Sequence, residues 1–175
     1  MSVGVLTANS GLLKGTLVPP EALPLKCALV CIPNFAVGIP LILAILVASG
    51  NISAHAFLVA PLIVLFLMMC AGLSLILSCL NVIFRDLAQI VSALLFPLMM
   101  LSPVAYPVER IPAFLQPFMY FNPFYYFVPC FQDVLVLGRL PRGEIFWPFF
   151  SFSVLIFYLG FWVFDRMKAV FLDNV

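Results

Sequence analysis

The stretch SPVAYPVERIPAFLQPFMYFNPF, Ser102 to Phe124, decides how this chain is read. It is apolar and aromatic enough to enter a membrane, yet it carries Pro103, Pro107, Pro112, Pro117 and Pro123. Each proline removes a backbone N–H, and inside a helix its ring clashes with the preceding turn. Lipid supplies no water to replace a lost hydrogen bond. The question is whether this segment crosses a membrane or enters it and returns, and the flanking sequence bears on that choice.

Of 175 residues, 65% are hydrophobic and 9% charged, and mean hydropathy is +1.23. A soluble domain carries about 25% charged residues, so this composition is that of an all-α integral membrane protein. A net charge of +1 provides no basic field for nucleic acid. A spanning helix needs roughly 20 apolar residues, and four stretches supply them: about Cys27 to Ser49, Ala56 to Leu80, Leu87 to Tyr106 and Ile145 to Phe164. Pro33, Gly38 and Pro40 predict a first span that is kinked and packed against neighbours, with Gly50-Asn51 closing it. The short link from Gly50 to His55 predicts that the first two spans are antiparallel neighbours. Ala71, Gly72, Ser74 and Ser78 give the second span a small-residue stripe suited to close helix contact.

Orientation follows from lysine and arginine. Lys14 and Lys26 precede the first span, Arg85 separates the second from the third, and Arg166 and Lys168 follow the fourth. Four spans place all of these on one, cytoplasmic, side together with the C-terminus. Arg110, Arg139 and Arg142 then fall outside, partly balanced by Glu109, Asp133 and Glu144. A fifth full span between Ile111 and Leu137 would move Arg166, Lys168 and the C-terminus outside and would break a helix inside lipid. The proline-rich segment, residues 111–137, is therefore expected to be re-entrant. It would dip into the outer half of the membrane as short helices where protein or a water-filled cavity surrounds it.

The motifs exclude more than they assign. There is no G-x-x-x-x-G-K-[ST], so the chain has no usual cradle for ATP phosphates, and neither D-x-D nor H-E-x-x-H occurs. His55, the sole histidine, is expected as a solvated loop residue. Cys27, Cys31, Cys70, Cys79 and Cys130 lie in apolar runs, with no C-x-x-C pair and no accompanying ligands, which reads as ordinary packing. The start MSVGVLTANSGLLKG lacks the basic and apolar regions of a signal peptide. In NVIFRDLAQI (81–90), Arg85 and Asp86 read as a positive-inside anchor with an acid near a helix N-terminus, or as a tight cytoplasmic turn holding two helices in register.

Tyr106, Phe114, Phe118, Tyr120, Phe121, Phe124, Tyr125, Tyr126, Phe127 and Phe131 form either an interfacial aromatic belt or a ring platform for sugar faces along a path. Tyr106, Phe121, Tyr125 and Tyr126 are the candidate path residues. After Asn122-Pro123 a short helix is expected, with proline in its first turn. Tyr125 and Tyr126 would project about 100° apart on it, so at most one would face a path. NSGLLKGTLVPPEALPL (9–25) is amphipathic and then broken by Pro19, Pro20 and Pro24, which suits an interfacial segment or one docked on a cytoplasmic partner.

With these pieces in order, the chain resembles the permease subunit of type-2 ABC transporters, and within them the polysaccharide, O-antigen and teichoic-acid exporters. The resemblance rests on NSGLLKGTLVPPEALPL, NVIFRDLAQIVSALLFPLMMLSPVAYPVERIP, FNPFYYFVPCFQDVLVLGRLP and FDRMKAVFLDNV, and it covers essentially the whole chain as one domain. It implies four transmembrane helices, a re-entrant helix pair and an N-terminal amphipathic coupling helix at residues 5–18, where Leu12, Leu13, Lys14 and Leu17 would touch the ATPase. It implies a homodimer with a second permease copy in the bacterial inner membrane. Two separate ATPase subunits would carry the ATP and Mg, this chain holding no cofactor of its own. The substrate implied is a lipid-linked glycan. The chain looks like the C-terminal two-thirds of the family permease, with Gln132 near a position where the family often has arginine. The alternatives are a type-2 exporter of drugs or small lipids, whose neighbouring genes would lack glycosyltransferases, and a non-transporting permease fragment. A membrane-bound transferase is disfavoured by the missing catalytic constellation.

Overall fold

The structure is a computed structural model, and it describes residue 3 and residues 22–48, 50, 54–84, 86–100, 116–120 and 122–174. All regular structure among these residues is helical: α1 (Ala22–Leu29), α2 (Ile32–Ala48), a 3-10 turn (Ala54–Leu58), α3 (Val59–Ile83), α4 (Leu87–Met100), α5 (Gln116–Tyr120), α6 (Pro123–Leu135) and α7 (Gly143–Asn174). Three stretches are long and apolar enough to cross a membrane: Ala22–Ala48, His55–Ile83 and Gly143–Met167.

The core is built on α3 and α7, which share the most extensive contact in the bundle. Buried Phe149, Ser153, Gly160 and Phe164 line one face of α7, and Leu62, Met69, Gly72, Leu75 and Cys79 line one face of α3. The contacts advance together along both helices. Leu62 lies with Phe149 in one cluster, Gly72 meets Ile156 and Gly160, and Leu75 and Cys79 pack with Phe164. The two helices therefore run parallel. At Gly72 and Gly160 they touch backbone to backbone. A Cβ on Gly160 would lie 2.5 Å from the Gly72 carbonyl oxygen, and a Cβ on Gly72 would lie 2.6 Å from the Ile156 carbonyl carbon. Only glycine fits at either place.

The small residues expected on the second span serve two faces. Gly72 meets α7, whereas Ser74 donates from Oγ to the Pro24 carbonyl at 2.9 Å and so pins α1. Ser78 Oγ bonds within its own helix to Leu75 O at 3.0 Å. The first span begins at Ala22 rather than Cys27, because Pro24 sits in the first turn, where no N–H partner is missing. The break falls at Val30-Cys31, not at Pro40. Pro33 lacks the N–H that would bond Leu29 O, and the chain tightens just before it, with Cys31 N bonded to Ala28 O at 3.2 Å.

This span packs only lightly within the chain. α2 has no buried residue; only Phe35, Ile39, Leu43 and Leu46 lean on the core. The helix runs through Pro40, although the ring has no N–H to offer the Ala36 carbonyl. Gly50 ends this region at φ +68°, a left-handed conformation that favours glycine.

The third apolar helix, α4, is 14 residues long, about 21 Å, and shorter than a bilayer core. The rest of the expected third span, 101–106, lies outside the described residues. The proline-rich stretch gives two short helices, α5 of 5 residues and α6 of 13. Pro117 lies in the first turn of α5 and Pro123 in that of α6, where the ring is tolerated. α6 packs against both α7 and α3. Residues 101–115 are outside the described set.

The Gly72–Gly160 contact predicts the largest single-site losses in the molecule. Gly72→Ala and Gly160→Ala should each destabilise by about 1–3 kcal/mol through overpacking against backbone that cannot rotate aside. Gly38→Ala, with nothing within 4 Å of the added carbon, should be neutral or better. Thermal melts in detergent of the three variants check the ordering.

Candidate functional site

The region that carries the candidate path residues is organised by Asn122. Its Oδ1 accepts from Phe124 N at 3.0 Å, capping α6, and its Nδ2 donates to Leu98 O at 3.2 Å, tying α6 to the end of α4. Asn122 is itself buried. From this anchor α6 presents aromatic side chains to α3 and α7. The Phe127 ring stacks on Phe66 at 4.1 Å and lies 4.5 Å from Phe131 and 6.0 Å from Phe149. Phe35 meets Phe66 edge-on at 5.5 Å. Two apolar cavities flank this hub. One of about 280 Å³ lies between α4 and α6 and includes Leu95, Met99 and Phe124. The other, of about 370 Å³, lies between α2 and α6 and includes Asn34, Gly38 and Gln132.

Tyr125 and Tyr126 are both buried, at 9% and 7% exposure. Tyr125 packs edge-on between Tyr120 (5.7 Å) and Tyr126 (5.1 Å). Tyr126 stacks on Phe152 at 5.8 Å and donates from its hydroxyl to Tyr120 O at 2.9 Å. The two rings thus act as a pair joining α5, α6 and α7. Tyr106 and Phe121 lie outside the described residues, as do Leu12, Leu13, Lys14, Leu17 and Arg85. Asp86 is exposed in the turn before α4, and its backbone carbonyl accepts from Gln89 N and Ile90 N at 3.1 and 3.2 Å. That places a carboxylate beside a helix N-terminus, where the dipole favours it.

Asp133 closes the site from the other end of α6. It is buried, and Arg139 donates to Oδ1 from Nε at 3.0 Å and Nη2 at 2.7 Å. Arg142 donates to Oδ2 from its backbone N and its Nε, both at 3.2 Å. Burial on its own would raise the Asp133 carboxyl, but the Arg139 and Arg142 hydrogen bonds outweigh it and hold the group below its ordinary 3.8. The loop is braced further by His55 Nδ1, 3.0 Å from Gly138 O. His55 is thus part-buried and bonded, not simply solvated, because Gly138 turns its carbonyl inward at φ +60°. Gly160, the Asn122 bridge and the Asp133 pairs were not singled out from sequence. The Asn-Pro dipeptide marked the cap, but a bond to Leu98 has no local signature.

The ABC-2 type transporter family matches residues 22–136, which includes α1 to α6 and the first residue beyond. The chain belongs to that family. This agrees with the resemblance to the permease subunit of type-2 ABC transporters that the sequence carries. Among similar proteins, the O-antigen export system permease protein RfbA of Myxococcus xanthus is 28% identical over 160 residues, 90% of this chain and 62% of that protein. Its namesake from Klebsiella pneumoniae is 26% identical over 168 residues, 95% of this chain and 64% of that protein. The chain therefore spans less than two thirds of the length of these relatives.

The Asp133 arrangement sets an acid limit on this ABC-2 domain. A carboxylate held below its ordinary value contributes stability at neutral pH, and that contribution is lost as pH falls below about 3.8 toward the folded value. Wild type should lose melting temperature over this range more steeply than Asp133→Asn. At pH 7, replacing both Arg139 and Arg142 with Gln should cost about 3 kcal/mol, since it leaves a buried carboxylate with one backbone N–H for a partner.

Proposed function

We propose that the chain is the membrane-spanning permease subunit of an ATP-driven exporter that moves lipid-linked polysaccharide across the bacterial cytoplasmic membrane. The observation that carries this reading is the family match over residues 22–136, with O-antigen export permeases among its relatives. A polar glycan needs a protein path, and the lipid carrier needs an apolar one. The aromatic hub and the cavities beside α6 offer apolar surface, and Asn34 and Gln132 add polar groups at its edge.

The four-span topology with a re-entrant pair is part of this proposal, and one geometric fact favours it. α3 and α7 run parallel, and the His55–Gly138 bond joins their leading ends. The chain leaves α3 at the far end, near Asp86, and is back at the near end by Gly138. It therefore makes an odd number of net crossings between them. One crossing by α4 and its continuation, followed by α5 and α6 on a single side, meets this requirement. The C-terminus would be cytoplasmic. Arg166 sits 6.0 Å over the Trp162 ring at that end, an interfacial pairing of cation and aromatic.

Energy would come from a separate ATPase, with two such subunits serving two permease copies. Helix-in-groove docking depends on a few apolar anchors, here Leu12, Leu13 and Leu17 beside Lys14. Tagged chain co-expressed with the ATPase should co-purify with it, and Leu12→Asp with Leu13→Asp should weaken that recovery several-fold at unchanged membrane abundance. Undiminished recovery would remove the segment from the coupling role. Reporter fusions at Val175 and near Arg142 should give opposite signals, and matching signals would contradict the topology.

A further inference from the structure

Of the five cysteines, Cys31 and Cys70 meet across two helices, and the packing of the first span on α3 brings them together. α1 is pinned where Ser74 Oγ donates to Pro24 O at 2.9 Å, and the start of α2 where the Phe35 ring meets Phe66 edge-on at 5.5 Å. Residue numbers rise along one partner as they fall along the other, so the first span runs antiparallel to α3. Between these two contacts Cys31 lies one turn before Phe35, its carbonyl accepting from Phe35 N at 3.3 Å. Cys70 lies one turn from Phe66 and one turn from Ser74, on the same face of α3. The two thiols are accordingly in hydrogen-bond contact. Both are free and half-buried. Cys31 sits in the break between α1 and α2, and beyond it α2 has no buried residue.

We propose that Cys31 and Cys70 form a redox site, oxidised by an organic hydroperoxide dissolved in the membrane to a disulfide that fastens the start of α2 to α3. One sulfur attacks the outer oxygen of the hydroperoxide. The O–O bond breaks, an alcohol is released and a sulfenic acid remains. The second sulfur displaces the sulfenic hydroxyl, which leaves as water with the proton of the second thiol. Two thiols and one hydroperoxide thus give one disulfide, one alcohol and one water. The location selects the oxidant. Both thiols lie inside stretches able to cross a membrane, Ala22–Ala48 and His55–Ile83, where a charged, water-soluble disulfide does not enter. The product suits the site because it is neutral. A metal ion would need both sulfurs as thiolates, and among the described residues no group of three or more ligands exists to complete its shell. The bridge closes the loop from Cys31 through the Gly50–His55 link to Cys70, and so restrains α2, whose own packing is slight.

The test uses the full chain in membranes, with a protease site inserted between Asn51 and Ile52 in the link that joins the two spans. The membranes are treated with cumene hydroperoxide, the remaining thiols are blocked with a maleimide, and the chain is cleaved. The two fragments should stay joined on a non-reducing gel and separate with dithiothreitol. Cys31→Ser or Cys70→Ser should abolish the joining. Cys27→Ser should leave it intact, since Cys27 lies a turn farther from Phe35, level with Ser74. Hydrogen peroxide, which loses hydrogen bonds to water on entering lipid, should join the fragments several-fold less. The oxidised chain should melt several degrees above the reduced chain, and Cys70→Ser should lose that gain. Mass spectrometry of the wild-type digest should show the Cys31 and Cys70 peptides linked, which places the bridge even where a serine variant fails to insert. Fragments that separate without reductant, joining that survives Cys31→Ser or Cys70→Ser, or joining lost in Cys27→Ser would overturn the proposal. So would equal joining by the two peroxides, a melting temperature unmoved by oxidation, or a bridge between two chains in place of one within the chain.

Discussion

The backbone contact between Gly72 and Gly160 is the constraint on which the rest of the bundle depends. In lipid, two apolar helices gain little by leaving the tails for each other, so association rests on close van der Waals contact and on the few available hydrogen bonds. Two glycines facing each other bring α3 and α7 to the closest approach a helix pair allows. The aromatic side chains on either side of that crossing can then fill the space above and below it. Phe149 fills it at one end and Phe164 at the other, each without exposed surface. α6 docks against the pair this contact creates, and α1 is held to α3 through Ser74 and Pro24.

The polar groups inside this frame are nearly all accounted for. Ser153 bonds Phe149 O at 2.8 Å and Ser78 bonds Leu75 O, so both serines cost little where they are buried. Asn122 spends its amide on two helices, and Asp133 is answered by two arginines that keep half their surface in contact with the surroundings. Among the described residues the exception is Asn81, whose buried Oδ1 has no hydrogen-bond partner there. A lone acceptor of this kind costs about 1–3 kcal/mol. The apolar surface left over is equally uneven. α2 has no buried residue, and Leu94, Leu95, Phe96 and Met99 of α4 stay more than half exposed. These outward faces are where lipid or further protein would complete the bundle.

The fold was legible in the sequence wherever lipid made the physics strict. Twenty apolar residues in a row have few fates, and the second and fourth spans emerge as α3, shifted by three residues, and α7, which runs ten residues past Phe164. Prolines were informative only in part: α6 begins at Pro123, but Pro40, Pro97, Pro129 and Pro148 lie inside helices. The site was less legible, because its contacts join residues far apart in the chain. Gly72 stood out beside Ala71 and Ser74, but Gly160 sits among large aromatic residues and gave no comparable pattern. The adjacent tyrosines 125 and 126 were expected to diverge by 100°. They do, but the bundle surrounds α6 closely enough to bury both. The Asp133 pairs were visible only as a balance of charge, since loop geometry and not helical spacing brings Arg139 and Arg142 to one carboxylate.

A double-mutant cycle between Gly72→Ala and Gly160→Ala tests the central contact most directly, with unfolding followed in detergent. If the two residues form one backbone crossing, the first added methyl forces the helices apart and leaves room for the second. The double variant should then lose far less stability than the two single losses added together, with a coupling of about 1 kcal/mol or more. Losses that simply add, within about 0.3–0.5 kcal/mol, would mean that the glycines act at independent sites and would contradict the account.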